Sequence, residues 1–299
     1  MMLSAESIGK FIRHHSLPPS FLALVEKHYA TLVDWLHTHE SSTETMFLGI
    51  NGAQGTGKST LAAFLKLALE TMHSWHVAVL SIDDFYLTKS ERHELSKNTH
   101  PLLATRGVPG THDIAMLSDL LDCLRLLGEH KQCALPRFDK AIDDRADESA
   151  WPDVSGPVDM IVLEGWCVGS TAQPESELAA QVNDLERNED PSGHWRRFVN
   201  DQLKSDYANL FGQLDALVFL QAPSFGAIHR WRLEQEQKLA ASAPSDASGI
   251  MNGEQVAEFI QYYERITRNN LAVMPGIADV VLELDETHDC VASHYRRKT

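Results

Sequence analysis

Features that would indicate a metal-rich, redox-active or membrane-inserted protein are missing from this sequence. Its four cysteines form no C-x-x-C pair, which excludes the usual zinc-ribbon and dithiol redox motifs. No apolar run approaches the roughly 18 residues needed to cross a bilayer. The N-terminal residues lack the basic and then apolar pattern of a signal peptide. We therefore expect a cytoplasmic protein with no membrane partner.

Basic residues are also scarce. The chain has 26 Lys and Arg against 42 Asp and Glu, which gives a formal net charge of −16. Non-specific nucleic-acid binding depends on Lys and Arg neutralising phosphates, so we expect no nucleic-acid partner. None of the 15 histidines lies in an H-E-x-x-H motif, which excludes that zinc-enzyme signature. Clusters of basic residues are informative against this acidic background.

What the sequence does contain is a phosphate-binding motif, Gly52-Ala-Gln-Gly-Thr-Gly-Lys-Ser59. It fits G-x-x-x-x-G-K-[ST], the P-loop of nucleotide-binding proteins. A short apolar segment precedes it, and a segment of good helix formers with apolar residues at helical spacing follows it. Strand, glycine-rich loop and helix form the setting in which this motif binds phosphate, because loop amides and the helix start face the anion.

The P-loop predicts a nucleoside triphosphate, ATP, with Mg²⁺ as cofactors. Lys58 is expected to place its charge at the β and γ phosphates and so to take part in catalysis, and the Ser59 hydroxyl is expected to bind Mg²⁺. Mg²⁺ suits such a site because it needs few protein oxygens. The expected nucleotide contacts are Gly52, Ala53, Gln54, Gly55, Thr56, Gly57, Lys58, Ser59 and Thr60.

Hydrophobic patterning predicts an α/β fold. Five short, nearly continuous apolar segments are typical of strands that are covered on both faces; they are 46–51, 76–82, 158–164, 214–221 and 279–284. Helical patterns separate them, including 113–128, 194–211, 224–241 and 253–270. Such alternation predicts a P-loop NTPase-like, doubly wound parallel sheet of five strands with flanking helices.

Four regions are defined by this pattern. Residues 1–40 are predicted to form an N-terminal helical segment, and 41–299 a single P-loop domain. Inside that domain the excursion at 83–157 contains one clear helical pattern and is far longer than an ordinary crossover, which favours a role in function. A helical lid is predicted at 224–255, where the linker Ala240–Gly249 joins two helices.

Acidic residues follow two of the predicted strands. Asp83 comes after the second strand and Glu164 ends the third. The carboxyl ends of parallel strands converge on one edge of a sheet, so both side chains are expected close to the P-loop. A carboxylate opposite the γ-phosphate can accept the proton of an attacking hydroxyl, which makes Asp83 the candidate base. Glu164 is the candidate second Mg²⁺ ligand. Asp84 is open to either a capping or a catalytic role.

The excursion also contains basic and polar residues suited to a small anionic substrate. An arginine fork can bind a carboxylate through two hydrogen bonds, although each arginine could equally form a surface ion pair. The candidate substrate contacts are Asp83, Tyr86, Arg106, His112, Arg137, Lys140 and Arg145. The nearby acidic cluster Asp143, Asp144 and Asp147 lacks the spacing of a calcium loop and is expected to be solvated.

The helix that follows the fourth strand contains Arg230 and Arg232. An arginine brought in by a closing lid can neutralise charge during phosphoryl transfer. The two positions lie on different faces of a helix, so only one of them is expected to reach the phosphates. Arg230 is the one assigned here to catalysis.

Taken together, these segments resemble the D-glycerate 3-kinase family of the plant and fungal type. That family belongs to the P-loop group that contains uridine kinase, pantothenate kinase and phosphoribulokinase. The matching stretches are Gly52–Ser59, Asp83–Thr88, Arg106–Asp113, Pro136–Arg145, Leu163–Trp166 with Gly169, and Trp231–Leu233.

The resemblance implies an ATP-dependent kinase that transfers the γ-phosphate to the 3-hydroxyl of D-glycerate. By this resemblance Asp83 is the base. Glu164 is the glutamate of the Leu-Glu-Gly motif, and Arg230 and Arg232 are the arginines of the lid. Asp84 stands where the wider group has Ser, so no role passes to it.

The sequence leaves two other hypotheses of function open. A uridine- or pantothenate-type kinase is the nearest alternative. An alternative of another class is a regulatory nucleotide-binding module or NTPase switch, which the absence of a guanine-reading N-K-x-D motif disfavours. The sequence indicates no oligomeric state.

Overall fold

The computed structural model describes residues 3–39, 44–242 and 251–296. The predicted linker at 240–249 lies largely outside the described residues. None of the described helices is long and apolar enough to cross a membrane.

A six-stranded sheet forms the centre of the protein. Its strands are β1 (Met46–Gly52), β2 (Val77–Ser81), β3 (Met160–Gly165), β4 (Ala216–Gln221), β5 (Val280–Leu284) and β6 (Cys290–Tyr295). They lie in the order β6-β5-β4-β1-β3-β2. The first five are parallel to one another, and β6 pairs antiparallel with β5. The predicted parallel sheet is therefore confirmed, with one strand added at its edge.

The helices occupy both faces of this sheet. They are α1 (Ala5–His14), α2 (Phe21–Leu24), α3 (Ala30–Thr38), α4 (Lys58–His73), α5 (Lys89–Asn98), α6 (Ile114–Arg125), α7 (Glu175–Leu178), α8 (Asp184–Asn188), α9 (His194–Lys204), α10 (Asp206–Phe211), α11 (Phe225–Ser242) and α12 (Gly253–Ile277). A π-helical stretch, Val25–Tyr29, joins α2 to α3. The single helix predicted at 194–211 is divided into α9 and α10 at Ser205.

Each sheet face has its own apolar core, because the central strands are buried on both sides. Leu48 and Ile50 of β1 face a core that includes the N-terminal helices and α4, whereas Phe47 faces a second core against α6, α9 and α10. In the first core the aromatic rings of the N-terminal segment surround Phe64 of α4; Phe11 lies 5.8 Å from it, ring centre to ring centre, and Tyr29 lies 5.4 Å away. The N-terminal segment therefore covers the sheet face behind the P-loop helix.

The excursion after β2 contains more structure than the sequence predicted. Besides α6 it contains α5 and two small antiparallel ribbons, 132–134 with 153–155 and 138–139 with 144–145. The prediction of only one clear helix was wrong because α5 has almost no apolar face. It is specified by a capping box between Thr88 and Glu91, and the one residue it buries is Arg92.

Candidate active site

The P-loop connects β1 to α4, which begins at Lys58. Gly55 and Gly57 have φ angles of +83° and +89°, a left-handed backbone that other residues rarely adopt. A Cβ on Gly52 would lie only 2.5 Å from the Thr56 hydroxyl. The three glycines of the motif are thus required by the loop's shape, which leaves the start of α4 facing the space beyond the loop.

The other predicted nucleotide residues surround this turn. The Lys58 ammonium and the Thr56 hydroxyl both donate hydrogen bonds to the Ala53 carbonyl, at 3.0 Å and 2.8 Å. Gln54 and Thr60 are half-buried. The folded-back Lys58 therefore lies along the loop, where a phosphate would compete for it.

Ser59 and Glu164 meet between α4 and β3. The Ser59 hydroxyl donates to Glu164 Oε1 at 2.9 Å, and Glu164 is buried. Burial lowers the pKa of Lys58, while the charges of Glu164 and Asp83 act in the opposite direction. No group of three or more His, Cys, Asp or Glu residues in the described ranges forms a metal cluster. Two oxygens nevertheless fit Mg²⁺, which keeps several waters.

Asp83 lies in a short 3₁₀ helix, Ile82–Phe85, directly after β2. Its Oδ2 accepts a hydrogen bond from Lys140 at 2.7 Å, and its Oδ1 accepts one from the Tyr86 hydroxyl at 2.9 Å. Burial by itself raises the pKa of Asp83, but Lys140 and the Tyr86 hydrogen bond bring it below its ordinary value. Asp83 is therefore an ionised carboxylate at neutral pH.

Strand order explains why Asp83, Glu164 and the P-loop share one edge. β3 lies between β1 and β2, and Glu164 is in register with Ile50 on one side and Ser81 on the other. All three strands point the same way, so the groups that follow them meet beyond the same end of the sheet.

Asp84 makes different contacts from Asp83. It accepts hydrogen bonds from the Arg137 guanidinium at 3.1 Å and from the Phe138 backbone at 3.2 Å. Burial raises the pKa of this carboxyl. Asp84 thus ties the hairpin at 138–145 to the sheet edge instead of capping a turn.

The acidic residues of that hairpin are not all solvated. Asp143 forms ion pairs with Arg92, at 2.7 Å, and with Arg106, so the prediction that it is solvated was wrong. Arg92 is fully buried and also donates to the Leu87 carbonyl at 3.0 Å. A buried guanidinium needs a carboxylate partner, which explains why Asp143 faces inward.

Arg145 and Arg137 likewise bind groups of the protein itself. Arg145 donates to Asp113 at 3.1 Å, while Asp113 caps α6 by accepting from the Met116 backbone at 2.9 Å. The structure places Lys140 directly on Asp83, and it places Arg137 and Arg145 in contacts that anchor the hairpin.

Comparison with known proteins shows which kinases this chain resembles. No family model matches the chain. The chain is 37% identical over 224 residues to the uncharacterized kinase mug58 of Schizosaccharomyces pombe, an alignment that covers 72% of this chain and 77% of that protein. It is 32% identical over 225 residues to the chloroplastic D-glycerate 3-kinase of Arabidopsis thaliana, covering 73% of this chain and 46% of the plant protein.

A solved structure extends the likeness to almost the whole fold. D-glycerate 3-kinase from Cryptococcus neoformans var. grubii has a TM-score of 0.75 to this protein at 26% identity, covering 92% of this chain and 99% of that chain. The chain belongs to the D-glycerate 3-kinase family of P-loop kinases. It is therefore a kinase, an enzyme that transfers a phosphoryl group.

The two arginines of α11 lie in different surroundings. Arg230 is exposed and pairs with Glu286 in the turn between β5 and β6. Arg232 is largely buried, pairs with Glu236, and lies 5.5 Å from the centre of the Phe259 ring. The structure therefore does not bring Arg230 to Asp83 or to the P-loop lysine, and its catalytic role stays a prediction.

The turn between β5 and β6 also reaches the nucleotide loop. His288 contacts the Gly55 carbonyl at 3.1 Å, and its ring stacks on Trp231 at 4.2 Å. A Cβ on Gly55 would lie 3.0 Å from the Trp231 side chain. Trp231 of α11 and His288 of the β5–β6 turn thus pack against the P-loop.

Several residues of the site were missed from the sequence. Tyr263 of α12 interacts electrostatically with Asp83, Arg106 and Arg232. Tyr207 of α10 hydrogen-bonds to His112 at 2.6 Å. Both tyrosines come from helices far along the chain whose apolar spacing predicted only core packing, so no local signal distinguished them.

Proposed function

We propose that this kinase phosphorylates the 3-hydroxyl of D-glycerate, with ATP as donor and Mg²⁺ as cofactor. The names of the plant and Cryptococcus proteins support the acceptor, and the P-loop supports the donor. The observation that carries the proposal is an ionised Asp83 at the same sheet edge as the P-loop, held by Lys140 at 2.7 Å.

The donor half consists of the loop amides, Lys58 and the Ser59–Glu164 pair. Lys58 exchanges the Ala53 carbonyl for phosphate oxygens and neutralises charge that develops on the transferred group. Ser59 and Glu164 supply oxygen ligands for Mg²⁺, which, when bound, neutralises charge on the phosphates. In this proposal Ser59 gives up its hydrogen bond to Glu164 when the metal is bound.

Asp83 acts as the general base. The attacking hydroxyl of the acceptor gives its proton to the Asp83 carboxylate, its oxygen forms the new bond to the γ-phosphorus, and the bond from that phosphorus to the ADP oxygen breaks. The low pKa of Asp83 keeps it in the ionised form that can accept the proton.

Lys140 and Arg106 bind the carboxylate of the acceptor. Lys140 is 59% exposed and is carried by a short hairpin, so it can leave Asp83 for an incoming carboxylate. Arg106 reaches the same hairpin through Asp143. Transfer of Lys140 from Asp83 to the substrate would uncover the base only when an anionic acceptor is present.

The test is a coupled assay of ADP release with a panel of D-glycerate, L-glycerate, glycerol, uridine and pantothenate. Of these compounds we expect only D-glycerate to raise the rate far above that with ATP only. Phosphorus NMR against standards of both phosphoglycerate isomers should identify the product as 3-phosphoglycerate. A rate with D-glycerate no higher than with ATP only would refute the acceptor. Faster turnover with uridine or pantothenate than with D-glycerate would identify the enzyme as a uridine- or pantothenate-type kinase. A cytoplasmic location stays a prediction.

A further inference from the structure

Tyr207 is buried, and its hydroxyl lies against Gly110 and His112 in the excursion at 83–157. It accepts a hydrogen bond from the Gly110 backbone at 3.0 Å and also interacts with the backbone N–H of His112. Its own hydrogen then needs an acceptor, and His112 Nδ1 is 2.6 Å away. No other acceptor for this hydroxyl is found in the described ranges, so Tyr207 donates to Nδ1.

This hydrogen bond fixes the state of the His112 ring. Nδ1 accepts a hydrogen bond, so the ring proton of the neutral imidazole lies on Nε2. Burial lowers the pKa of His112 to about 4, against the opposing effect of Asp83. The ring is therefore neutral at physiological pH, and it does not compete with Lys140 as the counter-ion of Asp83.

The His112 ring supports Tyr86 in turn. The two rings stack with centres 4.5 Å apart, and their backbones form an isolated antiparallel bridge. Tyr86 is buried, and burial holds its pKa well above the ordinary value, so its hydroxyl remains a donor. That hydroxyl donates to Asp83 Oδ1 at 2.9 Å. A continuous path of contacts runs from Tyr207 to the base.

Resting on the proposed function, we infer that Tyr207 and His112 are positioning residues that act through Tyr86 on Asp83. The path, called here the tyrosine–histidine stack (Tyr207, His112 and Tyr86), keeps Oδ1 occupied. It leaves Oδ2, the oxygen that Lys140 covers, to accept the proton of the acceptor hydroxyl. Tyr86 and His112 thus orient the base and do not bind the substrate.

Other charged and titratable groups around Asp83 come from several elements. They are Lys58 of α4, Lys140 of the hairpin, Asp84 of the same turn, Cys167 after β3 and Tyr263 of α12. None of them contacts Oδ1 in the described residues, so removal of the Tyr86 hydroxyl is a change specific to that oxygen.

A double-mutant cycle tests the inference. Tyr86→Phe should lower kcat about tenfold, because a hydrogen bond to a charged group is lost. It should also move the acid limb of the pH profile to higher pH. The acceptor KM should change less than threefold. Tyr207→Phe should lower kcat by about threefold, and the double variant should be no slower than Tyr86→Phe, because both act through one contact. Tyr262→Phe is the same change at a tyrosine outside the stack. Its effect on kcat should multiply with that of Tyr86→Phe in the corresponding double variant.

Three results would overturn the inference, and two of them are kinetic. One is a tenfold or larger rise of acceptor KM with unchanged kcat in Tyr86→Phe, which would make Tyr86 a substrate contact. The other is multiplicative losses from Tyr86→Phe and Tyr207→Phe. Nitrogen NMR of the wild-type protein provides a readout without substrate: His112 should show an unprotonated Nδ1, and a protonated Nδ1 would also overturn the inference. Absence of D-glycerate turnover with an unprotonated Nδ1 would refute the proposed acceptor and leave the stack intact.

Discussion

The loop at 52–59 takes its shape from its own backbone, whereas the segment at 83–157 is held by ion pairs between distant residues. The loop needs eight consecutive residues and three glycines. The side chains that pair in the segment are 32 to 57 positions apart in sequence. A site made from backbone can be recognised as a motif, while a site made from paired side chains exists only after folding. The following changes test that contrast, beginning with the largest expected effect.

Asp83→Asn removes the proposed base, which lies between the loop at 52–59 and the segment at 83–157. We expect kcat to fall by about 10²-fold or more, since general-base catalysis contributes about 10²–10⁴-fold, while ATP binding stays within about twofold. Steady-state kinetics and nucleotide titration measure the two effects. Asp84→Asn is the matched control, because Asp84 is the adjacent carboxylate and binds Arg137 and the Phe138 backbone. Equal losses of kcat in both variants would contradict the assignment of Asp83.

Lys58→Ala tests the donor half alone. Loss of a charge-assisted contact to phosphate should weaken ATP binding or turnover by about 10- to 100-fold, with the acceptor KM unchanged. Lys66→Ala is the control, since Lys66 lies on the same helix and binds Glu70 and the Val77 carbonyl. ATP titration of both variants decides the matter, and normal binding and turnover in Lys58→Ala would refute the site.

Asp143→Asn tests whether ion pairs hold the acceptor half. It leaves the buried Arg92 without its carboxylate, and Asp143 is itself partly exposed, so we expect a loss of about 1–2 kcal/mol in the free energy of unfolding. The acceptor KM should rise while ATP affinity stays normal. Asp147→Asn, at an exposed turn cap, should cost less. Denaturant titration measures both, and a stability equal to wild type would show that the pairs do not hold the segment.

Lys140→Met gives the smallest change and the most specific one. Burial raises the pKa of Asp83 and Lys140 lowers it, so without Lys140 the pKa should rise. Because only ionised Asp83 accepts a proton, activity is lost as pH falls through this pKa, and the acid limb of kcat/KM should move to higher pH. We also expect the acceptor KM to rise about threefold to tenfold. Lys97→Met, a surface charge paired with Glu94, should leave the profile in place. An unmoved acid limb in Lys140→Met would separate Lys140 from the base.

Local patterns predicted most of the fold and the donor half. Apolar runs predicted β1 to β5. The motif and its flanking pattern predicted the loop and the helix that follows it, α4, which begins at Lys58 in the structure. β6 was missed because it is a half-exposed edge strand without a continuous apolar run. α5 was missed because it buries only Arg92.

The segment at 83–157 was predicted less well, because the partners of its charged side chains are set by tertiary structure. The sequence indicated that the arginines of the excursion bind either substrate or protein carboxylates, and it could not decide between them. The structure pairs Arg137 with Asp84 and Arg145 with Asp113. It also pairs Asp143 with two arginines, against the prediction of a solvated cluster.

The strand that carries the nucleotide loop is made early and paired late. β1 lies in the middle of the sheet, between strands that begin at Met160 and Ala216. A chain is synthesised from its N-terminus, so both edges of this apolar strand stay open until more than half of the 299 residues have been made. Open strand edges are templates for aggregation. During translation, the segment most easily recognised in the sequence is therefore one that the growing chain must keep from pairing with the wrong partner.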